Sequence, residues 1–231
     1  MIFFDHPMLA GLLSLWLTLA RPAAPSGSGS VSGTVTLSTA GVPRRDSSGA
    51  VIWLEGLHRP GARSAPAIMK SEGKRFTPRV LAVPRSAAVE FPNADPIYHN
   101  VFSVSGSNRF DLGLYRSGAS RTKAFAEPGL VQVYCNIHPQ MVGYVMVVDS
   151  DSFAVTGRDG AFRFRGVPAG EYELKAWHEE GGETRLALTV RADTDMPVAV
   201  TIDVSRFRFV PHKNKYGKDY PPQASGDDDR Y

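Results

Sequence analysis

Cys135 is the single cysteine of the chain, and His138 and Met141 follow it at three-residue steps in Tyr134-Cys135-Asn136-Ile137-His138-Pro139-Gln140-Met141. One thiolate and two imidazoles in a trigonal arrangement, with a weak axial thioether, suit copper moving between its two oxidation states, and such sites transfer electrons. The triplet therefore needs a second imidazole. His99 is the best placed, in Phe91-Pro92-Asn93-Ala94-Asp95-Pro96-Ile97-Tyr98-His99-Asn100-Val101, where a polar, proline-bearing loop runs into the apolar Val101-Phe102. Taken singly, a lone cysteine is commonly a small apolar core residue, and His99 could be a turn histidine. The conjunction of Cys, His and Met on one short loop with an upstream His-Asn points to a metal. Structural zinc takes closed sets of Cys and His without a thioether. A single cysteine excludes cysteine-held iron–sulfur clusters and covalently attached haem. Of the other histidines, His178 in Trp177-His178-Glu179-Glu180 reads as a strand-end residue beside solvated carboxylates, and His58 and His212 fall in loop or tail.

Such a loop needs rigid supports, and the sequence supplies strands. Short β-branched and aromatic runs separated by Gly, Pro, Asn and Asp recur along the chain, and no long 3.6-residue apolar period follows the N-terminal segment. Strands are expected at 30–37, 50–55, 79–83, 88–91, 101–104, 122–125, 129–134 and 142–148, then at 153–156, 161–164, 170–178, 184–190 and 198–204, an all-β fold. Cys135 would end one strand and Met141 would precede the next, so the strands pre-position the donors.

The 231 residues suffice for one large or two small domains without disulfides. A net charge of +3 from scattered Lys and Arg lacks the basic stripe of a nucleic-acid binder, so no nucleic-acid partner is expected. Residues 8–20 form an apolar run of signal-peptide length, too short to span a bilayer comfortably, and small residues follow it. The expectation is a signal peptide over 1–24, a periplasmic mature protein and no membrane association after cleavage. Asp5 and His6 stand where a basic n-region is usual, which leaves open an uncleaved anchor or a start at Met8. An exported lone cysteine needs protection or ligation. Residues 206–231, basic and aromatic and then Pro-rich and acidic, read as a flexible tail, whose Lys213, Lys215 and Lys218 could touch an acidic partner.

The span 66–149 resembles the cupredoxins, the blue-copper β-sandwiches. The matching stretches are Phe76-Thr77-Pro78, His99-Asn100-Val101, Pro128-Gly129 before the Cys135 strand, then Cys135, His138, Met141 and Val142-Gly143. The Cys-x-x-His-x-x-Met step with proline after the histidine is most similar to the amicyanin loop. That resemblance implies a Greek-key β-sandwich and one type 1 copper held by His99, Cys135, His138 and Met141. It also implies that Asn100 ties the two ligand loops together by hydrogen bonds. Pro139 should stiffen the loop and remove an N–H donor near the metal. Multicopper oxidases also resemble this domain but add His-x-His pairs, which are missing from this chain, so an enzyme is not expected.

A second stretch, residues 154–174 with Asp159-Gly160 and Val167-Pro168-Ala169-Gly170, resembles the carboxypeptidase regulatory-like domain, a transthyretin-like β-sandwich. Such domains begin with strands like Gly33-Thr34-Val35-Thr36-Leu37 and Ala50-Val51-Ile52-Trp53-Leu54, which lie far upstream. Two arrangements are open. The 66–149 domain could be inserted into a sandwich built from 29–58 and 150–205, or 29–149 could be one enlarged copper domain. The second sandwich carries no catalytic constellation and would scaffold, or bind protein or carbohydrate. The chain also resembles bacterial cupredoxin proteins of the methylamine-utilisation type, which implies protein redox partners of the cytochrome or dehydrogenase kind. The main expectation is thus single-electron transfer by copper. Copper delivery is the alternative, although Met69, Met141, Met146 and Met196 are not clustered as a delivery protein's thioethers would be. A carbohydrate- or protein-binding module with an accessory copper domain is a third.

Overall fold

A computed structural model describes residues 27–59 and 65–221; the expected signal peptide and residues 222–231 lie outside the described residues. The protein is all-β, and the one helical element among the described residues is a 3-10 turn at Gly106–Asn108.

Side chains alternate across a strand, so an apolar run buried on both faces must have a layer on each side. Val142–Val148 shows this: Val145 and Val147 enter one core, whereas Met146 and Val148 enter another. In spatial order its sheet is Phe110–Tyr115, His99–Ser103, Gly129–Tyr134, Val142–Val148 and Val80–Pro84. Across the first core lie Ser120–Ala124, Ala88–Pro92 and Ala67–Ile68, with Phe91, Phe125, Val131 and Val145 packed between the two sheets. Val51–Leu54 is buried along its whole length for the same reason. Ile52 and Leu54 face a core shared with Val35, Phe164 and Leu174, while Val51 and Trp53 face the other way.

That core lies between two further sheets. Ser28–Thr39 pairs antiparallel with Ala161–Pro168 and parallel with Asp195–Asp203, and Val35 lies opposite Val200. Val51–Leu54 pairs with Phe153–Val155 and Gly170–His178, and Gly182–Val190 completes the sheet. The first long strands are therefore bonded to strands that follow residue 150, and residues 67–148 build the other sandwich between them. Gly160 sits at φ +68° in the turn before Ala161, and a Cβ there would meet the Val35 carbonyl oxygen at 1.9 Å. That turn tolerates no side chain.

The two sandwiches meet face to face. Val51, Trp53 and Trp177 of one pack on Val80, Met146 and Val148 of the other, in a third apolar core. Arg79 clamps this seam with Nε and Nη2 on the two oxygens of Glu179 at 2.7 and 2.6 Å, and its guanidinium lies 5.4 Å from the centre of the Tyr144 ring. Burial works against ionising Glu179, but Arg79 outweighs it and keeps the carboxyl below its ordinary pKa. The carboxylate beside His178 is therefore paired and largely covered rather than solvated. His178 itself is buried, with its Nδ1 accepting the Glu180 N–H at 3.2 Å.

Two further features differ from the sequence reading. The edge strand Phe110–Tyr115 was not expected, because its pairing to His99–Ser103 shifts between Asp111 and Leu114, where Gly113 has φ +73°, and this breaks the alternation. The flexible tail expected from 206 is corrected over residues 212–220: His212 stacks on Tyr134 and meets the Pro139 carbonyl, and Lys215 and Tyr220 hydrogen-bond Asn136 and Cys135. Their polar composition suggested a solvated end, but His212, Asn214, Lys215 and Tyr220 are half-buried.

Candidate metal centre

His99 opens its strand, Cys135 follows Gly129–Tyr134 at once, and Met141 immediately precedes Val142–Val148. Tyr134 pairs with Val142 on one side and Phe102 on the other, so the turn between these strands comes down beside His99. The loop closes on itself by the Met141 N–H to the His138 carbonyl at 3.0 Å and the Cys135 N–H to the Met141 carbonyl at 3.4 Å. Register and loop closure thus bring together residues 36 or more apart in sequence.

The donor atoms converge. Cys135 Sγ lies 3.8 Å from His99 Nδ1 and 3.5 Å from His138 Nδ1, and the two Nδ1 atoms are 3.1 Å apart. Cys135, His99 and Met141 are fully buried, and His138 keeps partial access to solvent. Burial pushes the Cys135 thiol pKa up, while N–H groups of Ile137, Asn100 and His138 aimed at the sulfur pull it down; the net direction is upward. Metal binding at such a thiol must release a proton, which couples affinity to pH.

Asp95, not singled out from the sequence, fixes the first imidazole. Its Oδ2 lies 2.7 Å from His99 Nε2, and the carboxylate also accepts N–H bonds from Gly73 at 2.6 Å and Lys74 at 2.9 Å. Burial disfavours the Asp95 charge, yet the Lys74 and Gly73 N–H groups and the His99 ring hold its pKa below the ordinary value. Burial also lowers the pKa of His99, against the opposing pull of Asp95. A neutral imidazole with its proton on Nε2 leaves the Nδ1 lone pair facing Cys135. A carboxylate behind a ligating histidine fixes the tautomer and raises the basicity of the donor nitrogen.

Asn100 acts through its backbone: its N–H is directed at Cys135, whereas its side-chain amide donates to Asp111 Oδ1 at 2.7 Å. Pro139 lacks an N–H, and its carbonyl oxygen lies 2.8 Å from His212 Nε2. His212 stacks on Tyr134, with ring centres 4.0 Å apart at 22°. Tyr220 Oη donates to the Cys135 carbonyl at 2.8 Å, and the Lys215 N–H bonds Asn136 Oδ1 at 3.0 Å. Sequence reasoning missed these partners because they lie 73 to 85 residues from the loop groups they meet, in a segment without strand periodicity.

One buried thiolate donor and two imidazole Nδ1 atoms within 4.8 Å of one another, with a buried methionine closing the loop, form a donor set that suits one type 1 copper. The residues present fit that ion and do not resemble an oxygen-only or all-cysteine site.

No protein-family model matches the sequence, and no curated protein matches it. Solved structures do. A Cu-containing nitrite reductase from Thermus scotoductus SA-01 is 27% identical with TM-score 0.35; the match covers 39% of this chain and 25% of that one, so this chain spans about a quarter of its length. A purple cupredoxin from Nitrosopumilus maritimus is 25% identical over 35% of this chain and 98% of its own, with TM-score 0.32. An amicyanin variant in its reduced Cu(I) form is 21% identical over 38% and 86%, with TM-score 0.35.

Proposed function

We propose that this protein is a periplasmic type 1 copper carrier that passes single electrons between protein partners of the cytochrome or dehydrogenase kind, and that it is not an enzyme. The observation that carries the reading is the convergence of Cys135 Sγ and the Nδ1 atoms of His99 and His138 in a buried cup. When bound, copper would supply the one-electron couple, held by His99, Cys135 and His138, with the Met141 thioether as a weaker donor. The chain's own contribution is rigidity. Three strand ends fix the donors, Asp95 holds His99 in one tautomer, and buried walls exclude water, so the same cup can serve both oxidation states with little rearrangement. His138, partly open to solvent, gives the shortest route from the donor set to a docked partner.

The apolar core of the seam and the Arg79–Glu179 pair beside it support a scaffolding role for the second sandwich, of the carboxypeptidase regulatory-like kind. Copper delivery is less well supported, because handing over an ion favours open thioether-rich donors, and here three of the four ligands are fully buried.

The test is a Cu(II) titration of the purified protein with visible absorption and paramagnetic resonance, alongside Cys135→Ser. An intense thiolate-to-copper band is expected that vanishes in the variant. A colourless complex in the native protein would remove the electron-carrier reading.

A further inference from the structure

We propose that residues 212–220 form a strap that fixes the metal-binding loop, with His212 and Tyr220 as positioning residues that latch it; the role in metal retention rests on the copper reading above. The strap is a built structure. Its turn is organised by Asn214, whose Oδ1 accepts the Tyr216 and Lys218 N–H bonds at 3.0 and 3.1 Å, while its own N–H bonds the Lys218 carbonyl at 2.9 Å. From that turn it grips the loop at both ends. Tyr220 Oη holds the carbonyl of Cys135, His212 Nε2 meets the carbonyl of Pro139, the residue after His138, and the Lys215 N–H takes Asn136 Oδ1 between them. Lys215 Nζ also reaches Asp111 Oδ2 at 2.7 Å, and Asp111 is the acceptor of the Asn100 amide. The strap is thereby tied to the residue that follows the other histidine ligand.

The half-buried residues of the segment are the ones that make these contacts or shape the turn, whereas Phe209 and Val210, just before it, stay about three-quarters exposed. A loop carrying three of the four proposed donors has carbonyls that water would otherwise satisfy; the strap satisfies them with protein groups, and the loop opens only when these bonds break. A segment of this kind sets the local opening equilibrium without altering the core.

The experiment uses the full chain without metal, so that its result does not depend on copper. The rate at which iodoacetamide alkylates Cys135 under native conditions reads loop opening. Tyr220→Phe and His212→Ala should each raise it several-fold, up to about tenfold, the weight of one net hydrogen bond or ring stack. Asn214→Ala, which touches the turn and not the loop, should act in the same direction. His212→Gln, which keeps a donor for Pro139, should restore part of the protection, and Phe209→Ala should change nothing. The thermal midpoint should stay at the native value throughout, which separates latching from general destabilisation. In copper-loaded protein the same variants should lose the ion to a chelator faster by a similar factor. Unchanged alkylation in Tyr220→Phe, His212→Ala and Asn214→Ala would overturn the strap whether or not copper binds. A native protein that takes up no copper, with alkylation accelerated in these variants, would uphold the strap and remove only the copper reading.

Discussion

Asp95 sets the orientation of His99: it takes the proton-bearing nitrogen and turns the other towards the sulfur. Asp95→Asn keeps the shape but removes the charge, and the expected result is a roughly 10- to 100-fold loss of copper affinity, measured by competition with a chelator. The visible band should remain, because the ligands themselves are intact. At this scale the sequence was informative where chemistry is local. Cys135, His138 and Met141 stand within seven residues, and their combination is rare enough to mark a soft-metal loop. Asp95 carries no such mark, since a carboxylate four residues before a histidine in a proline-bearing loop is ordinary. His212 and Tyr220 were hidden for a different reason: their roles depend on where a non-periodic segment comes to rest.

Strands were readable where the pattern was unbroken, whether alternating as in Gly170–His178 or continuously apolar as in Val142–Val148. They were not where a bulge shifted the phase, as at Phe110–Tyr115, or where pairing outlasted the apolar pattern, as at the start of Asp195–Asp203. Burial of both faces of Val51–Leu54 and Val142–Val148 was visible as continuous apolar runs, but a run does not say which layer covers it. The seam between the Val80–Pro84 and Val51–Leu54 strands also holds an ion pair whose sign can be worked out. Glu179 has a folded pKa below its ordinary value, so its pairing stabilises above pH 4.5 and is lost as pH falls through the lowered value. Arg79 is half exposed, which limits the gain to about 1 kcal/mol. Glu179→Gln should therefore lower the thermal midpoint at pH 7, and the difference from the native protein should shrink as the pH is taken well below 4.

Taken whole, the molecule is a stack of four layers in which one sandwich is carried in a connection of the other. The outgoing and returning chains lie side by side: the Gly56 N–H bonds the Asp149 carbonyl at 2.9 Å, and the Asp151 N–H bonds the Leu57 carbonyl at 2.8 Å. Closely spaced ends are what an inserted unit needs. The sequence left this arrangement as one of two, because Gly33-Thr34-Val35 fits either partner and only the pairing partner distinguishes them. With two crossings and an apolar seam, both sandwiches should unfold together. Trp177→Ala, which empties the seam at a cost of about 3–5 kcal/mol, should lower the midpoint and split the transition when Cys135 exposure and far-ultraviolet dichroism are followed in parallel. Trp53 and Trp177 are the only tryptophans among the described residues, and both lie in that seam. Indole emission from this part of the chain is therefore an optical record of the joint itself. A red shift on heating, on acidification or on contact with a partner would report the two sandwiches parting, without a label and without disturbing the loop that holds Cys135.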